Sequence, residues 1–102
     1  MAAVYEFSAP VWQWRARSDA WFFVSVPEDA SDEITARSEG LRGGFNSVPV
    51  LVTIGRTSWR TSIFPGGDGR YSLPLKKAVR AAEGIELDSI VDVSIELRLD
   101  AP

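Results

Sequence analysis

Val24-Ser25-Val26-Pro27-Glu28-Asp29 and Tyr71-Ser72-Leu73-Pro74-Leu75-Lys76 are one device written twice: an apolar-polar-apolar triplet, a proline, then a charged stretch. Alternation of this kind suits a half-buried strand. Proline ends the strand, because its ring nitrogen cannot donate to a ladder, and the same ring presets φ for the first turn of a helix. After Pro27 the carboxylates Glu28 and Asp29 stand where a helix leaves N–H groups unpaired and favours negative charge, which predicts a short helix from Pro27 to about Arg37. After Pro74, the side chains of Leu75, Val79 and Ala82 can face inward from a helix over Leu75 to Glu83, with Gly84 as its stop.

Working outward, Val4 to Arg17 alternates and is aromatic (Tyr5, Phe7, Trp12, Trp14), and Pro10 interrupts it in the manner of an edge or a bulge. Arg17-Ser18-Asp19-Ala20 reads as a turn, and Trp21 to Val26 as a buried strand too short to be a helix. Gly40 to Ser47 is a loop. Val48 to Ile54 is a strand, Gly55-Arg56 a turn, and Thr57 to Phe64 a strand in which Thr57, Trp59, Thr61 and Ile63 share a face. Pro65-Gly66-Gly67-Asp68-Gly69 is expected to be a mobile turn. In the last strand Val91, Val93, Ile95, Leu97 and Leu99 alternate with Asp92, Ser94, Glu96 and Arg98, so one face is buried and one wet. Each half is thus strand, turn, strand, proline, short helix, strand. The expectation is a mainly β, six-stranded, closed or nearly closed barrel capped by two short α-helices, which leaves few exposed sheet edges.

The 102 residues make one domain, 1–102, of ordinary globular composition, 45% hydrophobic and 25% charged. Histidine and cysteine are both absent from the sequence. Disulfides, thiolate metal sites, cysteine nucleophiles and imidazole catalysis are therefore excluded. The net charge of −3 argues against retention on nucleic acid by bulk electrostatics. Charge is unevenly spread: Arg56, Arg60, Arg70, Lys76, Lys77 and Arg80 meet only Asp68 in their stretch, whereas Glu28, Asp29, Asp32, Glu33 and Glu39 surround Arg37 alone. The N-terminal residues have neither a basic region nor a long apolar run, and no window approaches the ~18 apolar residues of a membrane span, so a cytoplasmic protein with no membrane partner is expected.

Longer phrases carry a resemblance. Gly44-Phe45-Asn46-Ser47-Val48-Pro49-Val50, Thr53-Ile54-Gly55, Trp59-Arg60-Thr61-Ser62-Ile63-Phe64-Pro65 and Tyr71-Ser72-Leu73-Pro74-Leu75-Lys76-Lys77-Ala78-Val79-Arg80, with Gly84-Ile85, resemble the bacterial and archaeal family called domain of unknown function 1905. The resemblance runs from Trp21 to Leu97. It implies a double-split β-barrel, related to the swapped-hairpin barrel of transition-state regulators and antitoxins but completed within a single chain. It implies no reaction. Asn46 stands where the family usually has glycine, and asparagine is the commonest other residue to tolerate positive φ. Asp88-Ser89 replaces the family's Gly-Asp before the last strand.

The residues that could carry chemistry are Arg60, Thr61 and Ser62 on a strand, with Lys76, Lys77 and Arg80 on the second helix. Lys76 and Arg80 are i,i+4 neighbours and project from one helix face. Two cations, two hydroxyls and a helix N-terminus would make an anion site. Set against it, Arg80 can pair with Glu83 while Thr61 and Ser62 satisfy backbone. The four tryptophans Trp12, Trp14, Trp21 and Trp59 are expected in the core, with Trp12 the best exception. The Pro65–Gly69 segment lacks the lysine and following helix of a phosphate loop, and the acidic series from Glu28 to Glu33 lacks the oxygen spacing of a calcium loop. A serine nucleophile would need a lysine base, and Ser62 with Lys76 is the conceivable pair. The leading expectation is a non-enzymatic, cofactor-free module for an anionic small molecule or an acidic partner segment, using Arg60, Thr61, Ser62, Lys76 and Arg80. A nucleic-acid-binding regulator and a Ser62 hydrolase are the alternatives.

Overall fold

A computed structural model describes residues 3–16, 19–40 and 46–99. Seven strands and two helices follow one another as β1 (Val4–Pro10), β2 (Trp12–Ala16), β3 (Asp19–Ser25), α1 (Glu28–Ser38), β4 (Val48–Ile54), β5 (Thr57–Pro65), β6 (Tyr71–Pro74), α2 (Lys77–Glu83) and β7 (Ile90–Leu97). The chain is mainly β, and its strands form a curled antiparallel sheet in the order β1-β7-β4-β5-β6-β3-β2. Arg17-Ser18 of the expected turn, and residues 41–45 of the expected loop, lie outside the described residues. Among the described residues no helix is long and apolar enough to cross a membrane.

The expected six strands are seven because the first one breaks. Pro10 ends the β1–β7 ladder opposite Ile90, and Trp12 begins the β2–β3 ladder opposite Phe23. Between them the Val11 N–H donates to the Ser89 carbonyl at 2.9 Å, and the Val11 carbonyl accepts from the Asp88 N–H at 2.9 Å. Proline has no hydrogen to extend the first ladder, so the chain changes partners there. β1 and β2 stand at the two ends of the strand order, yet only Val11 separates them. The sheet must curl until its ends meet at this corner. β5 makes a similar transfer without a break: Thr57 to Ile63 pair with β4, and Phe64 and Pro65 pair with β6.

The two copies of the repeat meet face to face. Ser25 and Ser72, which hold the same place in each triplet, are cross-strand partners, and Val24 pairs with Leu73. Val26 continues the match, donating to the Tyr71 carbonyl at 2.9 Å. The core fills the inside of the curl. Val48, Val50, Val52 and Ile54 of β4 and Val91, Val93, Ile95 and Leu97 of β7 are buried, in the register that the alternation predicts.

The helices close the ends in different ways. α1 begins right after Pro27 and reaches Ser38, with Ile34 buried. Its buried Ser31 Oγ donates to the Val26 carbonyl and accepts from the Tyr71 N–H, both at 3.1 Å, so one hydroxyl joins both repeats. α2 begins at Lys77, two residues later than the sequence suggests. The reason is that the Leu75 N–H still donates to the Phe22 carbonyl at 2.8 Å, which keeps this residue in the sheet's pairing. Gly84, at φ +63°, ends α2 as expected, and the Ile85 N–H returns to the Arg80 carbonyl. Asn46 and Asp88 also take positive φ, +58° and +68°, so both positions where the resemblance leads one to expect glycine keep a glycine-like backbone. The glycine turn after β5 is tied across its base, where the Gly66 N–H donates to the Arg70 carbonyl at 2.8 Å and the Arg70 N–H to Asp68 Oδ1 at 3.0 Å.

Candidate functional site

The middle of β3, the middle of β5 and the β6–α2 junction converge on a cleft of about 250 Å³. Its apolar walls are Trp21, Phe22, Trp59, Pro74 and Leu75. Arg60, Thr61 and Lys76 supply its polar groups. Each is placed by a local rule. Arg60 and Thr61 are successive residues of β5 and so leave opposite faces of the strand, which lets both reach a cleft at its margin. Lys76 holds an extended backbone, φ −69° and ψ 158°, just before α2. Pro74 pairs with Phe23, which sets the junction beside β3.

Three of the expected site residues, Arg60, Thr61 and Lys76, therefore come together, and two do not line the cleft. Ser62 lies on β5 opposite Pro49 of β4 and is not among the lining residues. Arg80 acts one step behind the wall. Its guanidinium carbon lies 4.1 Å from the centroid of the Phe22 ring, and its Nε donates to the Leu75 carbonyl at 3.0 Å. It thus fastens two wall residues from outside. Its expected rival partner, Glu83, accepts instead from Thr57 Oγ1 at 2.6 Å. Among the described residues neither Arg60 nor Lys76 has a carboxylate in ion-pair contact. With only seven residues in α2, the cations, not the helix end, supply the positive charge here.

Placing all four tryptophans in the core is only partly right. Trp59 is 8% exposed, but Trp14 and Trp21 are 54% and 53% exposed and stand directly opposite each other across β2 and β3. Trp12, the expected exception, is half-buried: it stacks on Phe23 with ring centroids 4.8 Å apart, and its Nε1–H donates to Ser25 Oγ at 2.9 Å. Trp21 to Val26 is correspondingly not buried throughout, since Trp21, Phe23 and Ser25 occupy the outer face of the hairpin. Trp21 and Phe22 are the cleft residues that sequence reasoning missed. Their signal was an aromatic triplet, Trp21-Phe22-Phe23, which must put aromatics on both faces of a strand.

Two wider and more open depressions carry the opposite charge. One, of about 410 Å³, is lined by Glu6 and Asp92 together with Ser8, Thr53 and Ser94. The other, of about 470 Å³, lies between β1 and α1 beside Asp29 and Glu33. In it, Glu33 accepts from Arg37 Nε and from the Tyr5 hydroxyl, both at 3.0 Å. Those two bonds, Arg37's first, hold the Glu33 carboxyl below its usual value, while burial and then the Glu33 bond raise the Tyr5 phenol. The acidic helix face is thus partly engaged in joining α1 to β1. An anion meets carboxylates in both depressions, whereas the small cleft presents it with cations.

A family model, that of the domain of unknown function DUF1905, matches residues 7–95 of this chain. Among curated proteins, none matches it.

Proposed function

Since the chain belongs to the DUF1905 family, whose description assigns no activity, we propose from its own geometry that it is a non-enzymatic binding module for a small anionic ligand held in the cleft of Arg60, Thr61 and Lys76. The observation that carries this reading is the convergence of two cations, without carboxylate partners among the described residues, and a half-buried hydroxyl on an apolar concavity. Ligand sites are commonly concave and mostly apolar, with a few polar groups that fix orientation. At about 250 Å³ the cleft suits a small molecule better than an extended partner segment. Arg60 offers a planar fork to a carboxylate or phosphate, and Lys76 a mobile point charge. Ser62 plays no part, because it does not line the cleft that holds Lys76. A regulator gripping a duplex is disfavoured by the net charge of −3.

The finer fold reading proposed here is a double-split β-barrel completed within one chain and akin to the swapped-hairpin barrels. Its support is internal. Two long strands, β1 with β2 and β5, are each shared between two ladders, and Ser25 and Ser72 pair on the axis that relates the repeats.

Thermal melts in sulfate and in chloride at equal ionic strength test the anion site, because a ligand of the folded state alone raises Tm by mass action. Sulfate also stabilises proteins by exclusion from their surface, so the deciding comparison is with the double variant Arg60→Ala/Lys76→Ala. The reading predicts that the variant loses most of the extra sulfate increment. Equal increments in the two proteins would refute it.

A further inference from the structure

We infer that the ligand is a planar aromatic carboxylate, its ring laid against Trp21 and its carboxylate held by Arg60 and Lys76; this rests on the anion reading of the cleft. The inference starts from a contrast within one hairpin. Trp12 is stacked on Phe23 and hydrogen-bonded to Ser25, whereas Trp21, two residues from Phe23 on the same strand face, keeps 53% of its surface exposed. Among the described residues the stacked ring pair of this hairpin is Trp12 with Phe23, so the indole of Trp21, open at the wall of a concavity, offers a stacking surface. Phe22 cannot take that role as readily, since one face of its ring already meets the Arg80 guanidinium at 4.1 Å.

Charge and size narrow the choice. Aromatic rings prefer an offset or edge-on neighbour with centroids roughly 4.5–7 Å apart. A flat ring meets this geometry, and a puckered aliphatic ring does not. A volume of about 250 Å³ is near that of eight liquid waters, enough for one or two fused rings and an acid group. Trp21 and Arg60 line the same cleft, so ring and carboxylate can be held at once. Thr61, also lining it, makes no side-chain hydrogen bond among the described residues and can donate to the acid.

Isothermal titration of the full chain with indole-3-carboxylate, cyclohexanecarboxylate and uncharged 3-methylindole separates the elements of the claim. Indole-3-carboxylate should bind roughly tenfold more tightly than cyclohexanecarboxylate, the scale of one aromatic pair. Trp21→Leu keeps an apolar wall and removes the ring, so it should erase that preference, bringing the ratio of the two affinities to about one. Far-ultraviolet circular dichroism verifies that the variant is folded. Equal binding of the two acids, or a preference that survives Trp21→Leu, overturns the aromatic claim and leaves the anion reading standing. If 3-methylindole binds as tightly as the acid, the anion reading falls and the inference with it; if none of the three binds, the inference falls and the sulfate comparison alone decides the anion reading.

Discussion

The central strands β4 and β7 and the edge strand β2, which forms a hairpin with β3, are written in much the same alternating code, yet they meet different fates. In β4 every second residue from Val48 to Ile54 is buried. In the hairpin, Trp12 is half-buried and Trp14 and Trp21 stay more than half exposed. Alternation specifies which residues share a face; it does not specify whether anything covers that face. β4 lies between β5 and β7, and its inner face looks into the curl, whereas β2 is the last strand of the order and its Trp14 stays exposed. The centre is therefore buried and carries stability, and the edge leaves aromatic surface exposed.

Substituting one tryptophan from each environment breaks the comparison most directly. Trp59→Ala should cost about 3–5 kcal/mol in denaturant unfolding, because a buried indole leaves both lost transfer energy and a cavity. A loss under ~1 kcal/mol would place Trp59 outside the core. Ile95→Ala, at a fully buried position of β7, should cost about 2–5 kcal/mol by the same mechanism, read from the same curves. Ser31→Ala should cost about 1–3 kcal/mol, since it strips a partner from the Tyr71 N–H and the Val26 carbonyl at the junction of the repeats. Little change there would mean that water or a shifted backbone replaces the hydroxyl. Trp14→Ala should cost only about 0.2–1 kcal/mol, the scale of one cross-strand pair. A cost comparable to that of Trp59→Ala would erase the distinction between centre and edge.

Much of the fold was legible because it depends on local chemistry. The strand-proline-helix triplets located both helices, Gly84 marked a real stop, and the alternation from Val91 gave the correct face. What the sequence concealed was non-local. Pro10 announced an interruption, but the transfer of Val11 to Ser89 and Asp88 depends on residues 77 positions or more away. The start of α2 was missed because the bond from Leu75 to Phe22 overrides helix propensity. At the candidate site the cations were visible as a cluster, and Arg60 with Lys76 was a pairing that sequence could suggest. The aromatic wall was not, because it depends on the pairing of β3 with β6, which brings Trp21 and Phe22 beside a junction some fifty residues away in sequence. Helical spacing placed Arg80 beside Lys76, but its guanidinium turns to Phe22 and Leu75.

The smallest predicted effect concerns the acidic side. Glu33 titrates below its ordinary value, so its contribution to stability is present above the normal carboxylate range and is lost as pH falls through the depressed value. Glu33→Gln should flatten the fall of Tm below about pH 5 relative to the unaltered chain. Identical pH profiles would show that the bonds of Glu33 to Arg37 and Tyr5 add nothing to stability.

The central claim is that the small cationic cleft, and not the exposed aromatic edge as a whole, takes an anion. Its most direct measurement is a titration of indole-3-carboxylate followed by the four tryptophan side-chain N–H signals in a two-dimensional ¹H–¹⁵N spectrum. Trp21 and Trp59, which line the cleft, should move together along one saturating curve. Trp12, whose N–H is held by Ser25, should move far less. Equal movement of all four signals, or movement of Trp14 without Trp59, would place the ligand on the outer aromatic face and contradict the account.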